Sequence, residues 1–167
     1  MVYESMFGNT EAVARAVAEG LALQMPTRVV AVADAPAHVD ADMDLLVVAA
    51  PTHAFGMSWP NSRRAAVEQG ARPVGGAARG IREWLGALSP TATPKGAAAV
   101  DTRIRKRGVP GSAARGAARR LRRLGFDVAE PTSFYVADTS GPLLAGELRR
   151  AWTLGVEMAS RRPVARP

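Results

Sequence analysis

Two short runs in this 167-residue chain have the residue types to hold a ligand. The first is Ser5, Met6, Phe7, Gly8, Asn9 and Thr10, which leaves a strand-like "VYE" and opens straight into an apolar periodic stretch. A tight loop at a helix amino terminus presents unbonded backbone N–H groups and the positive end of the helix dipole, so it suits an anion such as a phosphate. Gly8 lets backbone approach the anion with no side chain between them. Ser5, Asn9 and Thr10 add short hydrogen-bonding groups. The loop holds no lysine and lacks the G-x-x-x-x-G-K-[ST] pattern of a Walker loop. Taken alone, the same residues also describe a plain capped helix, with Asn9 or Thr10 as N-cap and Glu11 in the first turn. The second run is "PTHAFGMSWP", residues 51–60, which directly follows the apolar run "MDLLVVAAP".

Other chemistries find little support. No cysteine is present, which removes disulfides, thiolate nucleophiles and cysteine-held metal or iron–sulfur sites. Ser5 has no His–Asp pair implied by spacing, and no His/Glu set has metal-ligand spacing. His53 reads either as a polar loop residue facing water or as a hydrogen-bond donor to a bound ligand, the first being favoured because no partner for it is visible in the sequence. "RIRKRG", residues 103–108, is a dense cationic loop able to steer an anionic partner, and "RRLRR", residues 119–123, reads as the wet face of a helix with Leu121 and Leu124 inward. The net charge of +7 admits an acidic partner or a polyanion, or it reflects an arginine-rich composition with no partner at all.

The elements that must position these runs alternate strand and helix, the pattern of an α/β domain with a mainly parallel sheet. Strands are expected at "VYE", "TRVVAVAD", "MDLLVVAAP", "KGAAAVDT" and "FDVAEPTSFYVAD", the last interrupted by Pro131 and so suited to an edge. The third is apolar on both faces and expected at the centre. Helices are expected over 9–23, with Val13, Val17 and Leu21 on one face, and near Pro60, over 80–88, 112–125 and 141–160. Trp84 sits in an apolar stripe and is expected in the core, as is Trp152 with Leu148 and Val156. Trp59 reads equally as a ligand wall or a surface residue. One domain over 1–160 with a C-terminal tail over 161–167 is expected. The first strand is a stub: either it is unusually short or the chain's true start lies upstream of Met1.

In a doubly wound sheet of order 2-1-3-4-5, strands 1 and 3 are neighbours and a ligand lies beyond their carboxyl ends, where both runs emerge. At this point the residues resemble a family. "YESMFGNT" is similar to the phosphate loop of flavodoxins, and "PTHAFGMS" to the flavin-ring loop of flavodoxin-like proteins with a P-T-x-x-F-G pattern; the resemblance runs over essentially the whole chain. It implies a five-stranded flavodoxin-like fold with helices on both faces and FMN at the switch point. Ser5, Met6, Phe7, Gly8, Asn9 and Thr10 would wrap the phosphate. Pro51, Thr52, His53, Ala54, Phe55 and Gly56 would border the ring. Asp101, Thr102 and Arg103, with Gly108, would meet the pyrimidine edge. Phe7 departs from the hydroxyl residue usual before this glycine, which removes one phosphate hydrogen bond. The paired aromatic sandwich of short-chain flavodoxins is not evident, and the basic charge contrasts with the acidic electron carriers.

The function implied is an FMN-binding redox protein: either an electron carrier that docks with a redox partner, an acidic one included, or a small flavin reductase acting on a quinone-like acceptor. Two other classes are compatible with the residues. One is a module of the same fold without cofactor. The other is a basic nucleic-acid binder, against which the 5% aromatic content and the lack of a binding motif count. With no apolar run of membrane-spanning length and no leader-like start, a cytoplasmic protein is expected.

Overall fold

The computed structural model describes residues 1–53, 56–91, 95–105 and 110–160. Ala54, Phe55, the Lys106–Gly108 part of the cationic loop and the 161–167 tail, all singled out above, lie outside the described residues. The strands are β1 (Val2–Tyr3), β2 (Val30–Ala31), β3 (Leu45–His53), β4 (Gly56–Met57), β5 (Gly96–Ile104), β6 (Asp127–Val128) and β7 (Thr132–Val136). The helices are α1 (Asn9–Ala22), α2 (Pro60–Glu68), α3 (Ile81–Ala87), α4 (Ala113–Arg123) and α5 (Glu147–Ser160).

The sheet runs β2-β1-β3-β5, with β6 and β7 both parallel to β5 on its outer side. This is the expected 2-1-3-4-5 winding with its fifth strand broken between Val128 and Thr132, where Pro131 can give no ladder hydrogen bond. The stub β1 is nevertheless interior, pairing Val2 with both Val30 and Val48. Its shortness limits β2, which forms over two residues rather than the eight of "TRVVAVAD": an edge strand pairs only as far as its one neighbour reaches.

Helices cover both faces, and the long strands alternate between them. Leu46, Val48 and Ala50 of β3 and Ala97 and Ala99 of β5 pack with Ile81, Trp84 and Leu85 of α3 and with the alanines of α4. Val47, Ala49, Ala98 and Val100 point the other way, against Val13 and Val17 of α1 and Ala151 of α5. The period-two alternation of a strand thus builds two cores.

Two expectations are corrected. The last helix begins at Glu147 rather than 141. Trp152 and Leu148 are exposed rather than core; the buried stripe of α5 is Ala151, Gly155 and Ala159. The reason is the closeness of α1. A Cβ built on Gly155 would lie 2.1 Å from the Val17 carbonyl oxygen, and one on Gly20 would lie 2.2 Å from the Trp152 carbonyl oxygen. Backbones that close leave no room for an indole, so the large residues of α5 turn outward.

Candidate functional site

The β1–α1 loop is tied to itself. Ser5 is buried, and its Oγ accepts the Gly8 N–H at 3.1 Å. Gly8 stands at the N-cap of α1 with φ +85°, a left-handed conformation that glycine adopts freely, and no side chain caps the helix. The capped-helix alternative, with Asn9 or Thr10 as N-cap, is therefore corrected. Both side chains are used elsewhere: Asn9 Nδ2 donates to the Ser140 carbonyl at 3.0 Å, and the Thr10 and Thr102 hydroxyls meet at 2.7 Å, pinning the start of α1 to the end of β5. A Cβ built on Gly8 would meet nothing within 4 Å, so the space before this helix end is open. First-turn amides with no side-chain cap are groups of the kind that can bind an anion.

Beside them lies a cleft of 390 Å³, within the roughly 300–1,000 Å³ usual for small-ligand sites. It brings together Met6, Phe7, Asn9 and Thr10 from the loop, Pro51, Thr52 and His53 from β3, and Thr102 and Arg103 from β5. Met6 is buried against Ala66 of α2, which roofs the loop. Ser62, Ala65 and Ala66 of α2 and Gln69 at its C-cap, one face of the helix, join the wall, together with Val136 at the end of β7 and Thr139 after it. None of these was anticipated. The 62/65/66/69 spacing marks a helix face, but only the tertiary structure says what that face covers.

The remaining expected residues are placed otherwise. Gly56 lies in β4, paired antiparallel with His53, on the outer side of the resulting β3–β4 hairpin. Asp101 is fully buried and is not among the residues lining the cleft. Its Oδ2 accepts the hydroxyls of Thr52 and Ser112 and the N–H of Ala114. The Ala113 N–H in turn donates to Thr52 Oγ1 at 3.0 Å. Asp101 thereby fastens the amino end of α4 to the strands that carry the cleft, and a carboxylate suits that end of a helix. Trp59 is exposed outside the cleft, with the Arg82 guanidinium 3.7 Å from its ring centroid.

His53 is corrected from a water-facing loop residue to a half-buried residue at the end of β3. Burial first, and the nearby Arg63 charge second, hold its pKa below the usual 6.5, so the imidazole is neutral at neutral pH. Arg63 belongs to a buried cluster behind the cleft. Glu4 accepts the Ser58 hydroxyl and, at 2.8 Å, the Ile81 N–H. Arg63, wholly buried, donates to Ser58 Oγ and to the Ala77 carbonyl and lies 3.1 Å from Glu83. Burial pushes the Glu4 carboxyl up, while the Ser58 and Ile81 hydrogen bonds and the Arg63 charge pull it back. Nothing in "SRRAA" distinguishes buried Arg63 from exposed Arg64. Among the described residues no group of carboxylates and histidines could hold a metal, and no helix is long and apolar enough to cross a membrane.

Residues 1–73 match the family model "Flavodoxin". No curated protein matches the chain. Among solved structures it is similar to a flavodoxin from the domain Archaea (22% identity, 96% of this chain and 94% of that one, TM-score 0.65). It is similar also to oxidised flavodoxin 1 from Bacillus cereus (17% identity, 98% and 97%, TM-score 0.68). The flavodiiron protein from Giardia intestinalis contains the same fold in part (19% identity, 96% of this chain but 34% of that one, TM-score 0.59). The chain is flavodoxin-like, in fold across nearly its whole length and in sequence over its first 73 residues.

Proposed function

We propose that the chain binds FMN in this cleft and carries electrons to or from a partner protein. The observation that carries the proposal is the uncapped amino end of α1, open in front of Gly8 and continuous with a ligand-sized cleft at the carboxyl ends of β3 and β5. When bound, FMN supplies a ring that takes up and gives back electrons. The first-turn amides of α1 hold its phosphate. The Gly8 N–H is already donated to Ser5 Oγ, so the grip falls on the next backbone N–H groups of the turn and on the Ser5 O–H, which that bond leaves free to donate. Met6, Ala66 and Val136 offer apolar surface to the ring and exclude water from it. Thr52 and Thr102 make the wall polar, the Thr52 hydroxyl held by Asp101 and Ala113 and the Thr102 hydroxyl by Thr10. Neutral His53 adds a hydrogen-bonding group to the rim without adding charge.

Carriage and reduction of a quinone-like acceptor would both draw on the flavin's own chemistry, and turnover separates them. The test compares FMN with riboflavin by quenching of flavin fluorescence. FMN is expected to bind at least about tenfold more tightly, a gap of ~1.4 kcal/mol carried by the phosphate. Equal affinities would remove the proposed phosphate grip. The FMN-loaded protein is expected not to turn over NADPH with a quinone, and steady turnover would shift the assignment to a reductase.

A further inference from the structure

On the outer side of the β3–β4 hairpin lies a second, open groove of 740 Å³. Its floor is glycine-rich, and its walls carry Arg82 from α3 and Arg115, Arg119, Arg120 and Arg123 from α4. We propose that this groove docks an acidic helix on the surface of the protein's redox partner, one that presents carboxylates at four-residue intervals.

The charge is one-sided. α4 reads "AARGAARRLRR" and contains no acidic residue to pair within the helix. The groove holds no aspartate or glutamate among the described residues, and Arg115, Arg119, Arg120 and Arg123 make no ion pair there. Arg115 stands in the first turn, where the helix dipole disfavours a cation, so its placement gains nothing from the helix itself. Like charges gathered in a concavity repel one another and raise the local attraction for an anion.

The spacing selects the occupant. Arg115, Arg119 and Arg123 are exposed and recur every four residues, a step of about 6 Å along the helix and a stripe of about 12 Å in all. Carboxylates four residues apart on a partner helix repeat at the same interval, and each guanidinium can engage one in a forked pair. Arg82 is held in place for such a contact: it donates to the Met57 and Ser58 carbonyls at 2.6 and 3.0 Å and lies over the Trp59 ring. Phosphates along a nucleic-acid strand would match the interval too. Position favours the redox partner. Gly56 and Met57 form the groove's side of the same hairpin whose Thr52 and His53 line the cleft, so a protein seated in the groove lies against the cleft wall. The partner's redox role rests on the FMN proposal above; the groove's preference for spaced carboxylates does not.

The test uses a labelled helical peptide of about 20 residues with glutamates every fourth position, an isomer with the same glutamates bunched together, and a short DNA duplex as probes. Fluorescence anisotropy is expected to show the patterned peptide binding about tenfold more tightly than its isomer and than DNA, with affinity falling as salt rises. The Arg119→Glu/Arg123→Glu variant is expected to lose that binding while keeping the wild-type thermal midpoint and FMN quenching. Equal binding of the two peptides, tighter binding of DNA, or undiminished binding by the variant would overturn the inference. FMN quenching is read on the same samples: its absence from the wild type would strike the cofactor proposal, whereas its presence without patterned binding would strike the docking surface alone.

Discussion

On one face of the sheet, α1 and α5 meet backbone to backbone, through Gly20 and Gly155, with an apolar core beneath them. On the other, α3 and α4 cover an equally apolar core, but its edge toward the cleft holds buried ions: Glu4 and Arg63, joined through Ser58 and flanked by Glu83. The first arrangement draws its stability from close contact, and its titratable groups are the hydroxyl of buried Tyr3, which burial pushes up, and at its edge the Met1 amino terminus, which burial lowers to about 6. The second spends desolvation energy to fix the chain from Ser58 to Ile81, the segment that sets α2 over the cleft. Flavodoxin-like architecture here joins a dry platform to a charged, site-bearing side, and the two should fail in different ways.

The largest expected effect is on the charged side. Arg63→Leu takes the positive charge from beside buried Glu4, removes the ion pair with Glu83 and strands the Ala77 carbonyl, and should cost about 3–5 kcal/mol, read from the urea midpoint. A loss under about 1 kcal/mol would mean that the cluster is not structural. Trp84→Ala, which empties a core site and frees the Pro36 carbonyl from the indole N–H, should cost a similar 3–5 kcal/mol or so.

On the dry side, Gly155→Ala should destabilise by about 2 kcal/mol. The clash with the Val17 carbonyl outweighs the ~1 kcal/mol that alanine gains over glycine in a helix. A more stable variant would contradict the close approach. Trp152→Ala should cost well under the ~4 kcal/mol of the Trp84 change, since its indole is substantially exposed.

The smallest effect is the pH dependence that His53 gives the site-bearing side. His53 is held below its unfolded pKa of 6.5, so the folded state binds fewer protons than the unfolded state between the two values. Its contribution to stability is therefore complete above pH 6.5 and is lost as the pH falls from there toward the folded value. Comparing His53→Gln with wild type across that window should show a flatter profile for the variant. Parallel profiles would remove the assigned burial.

How much of this was legible in the sequence follows from where each signal resides. Val13, Val17 and Leu21 repeat every four residues, and all three are buried as expected. The location of the cleft followed from the two loops leaving neighbouring strands, a topological rule that needs no side-chain detail. Trp152 misled because Ala151, Gly155 and Ala159 share its four-residue spacing, and choosing between two such stripes depends on how near the next helix comes. β4 went unseen because a two-residue strand is made by its pairing with β3 rather than by its own propensity. Asp101 stands at the expected strand end, and its Oδ2 fastens the amino end of α4, a contact that the sequence did not single out. The arginines of α4 were expected on a wet face, and so they are; that they share a groove with Arg82 and Trp59 is tertiary information.

The central claim, that backbone amides at the start of α1 hold the phosphate of FMN, is tested most directly by amide chemical shifts of isotope-labelled protein during an FMN titration. The largest changes are expected at Gly8, Asn9, Thr10 and Glu11, with smaller ones at Thr52, His53 and Thr102, while Val17 and Gly155 stay still. Changes concentrated on Arg115, Arg119 and Arg123, or no changes at saturating FMN, would contradict it.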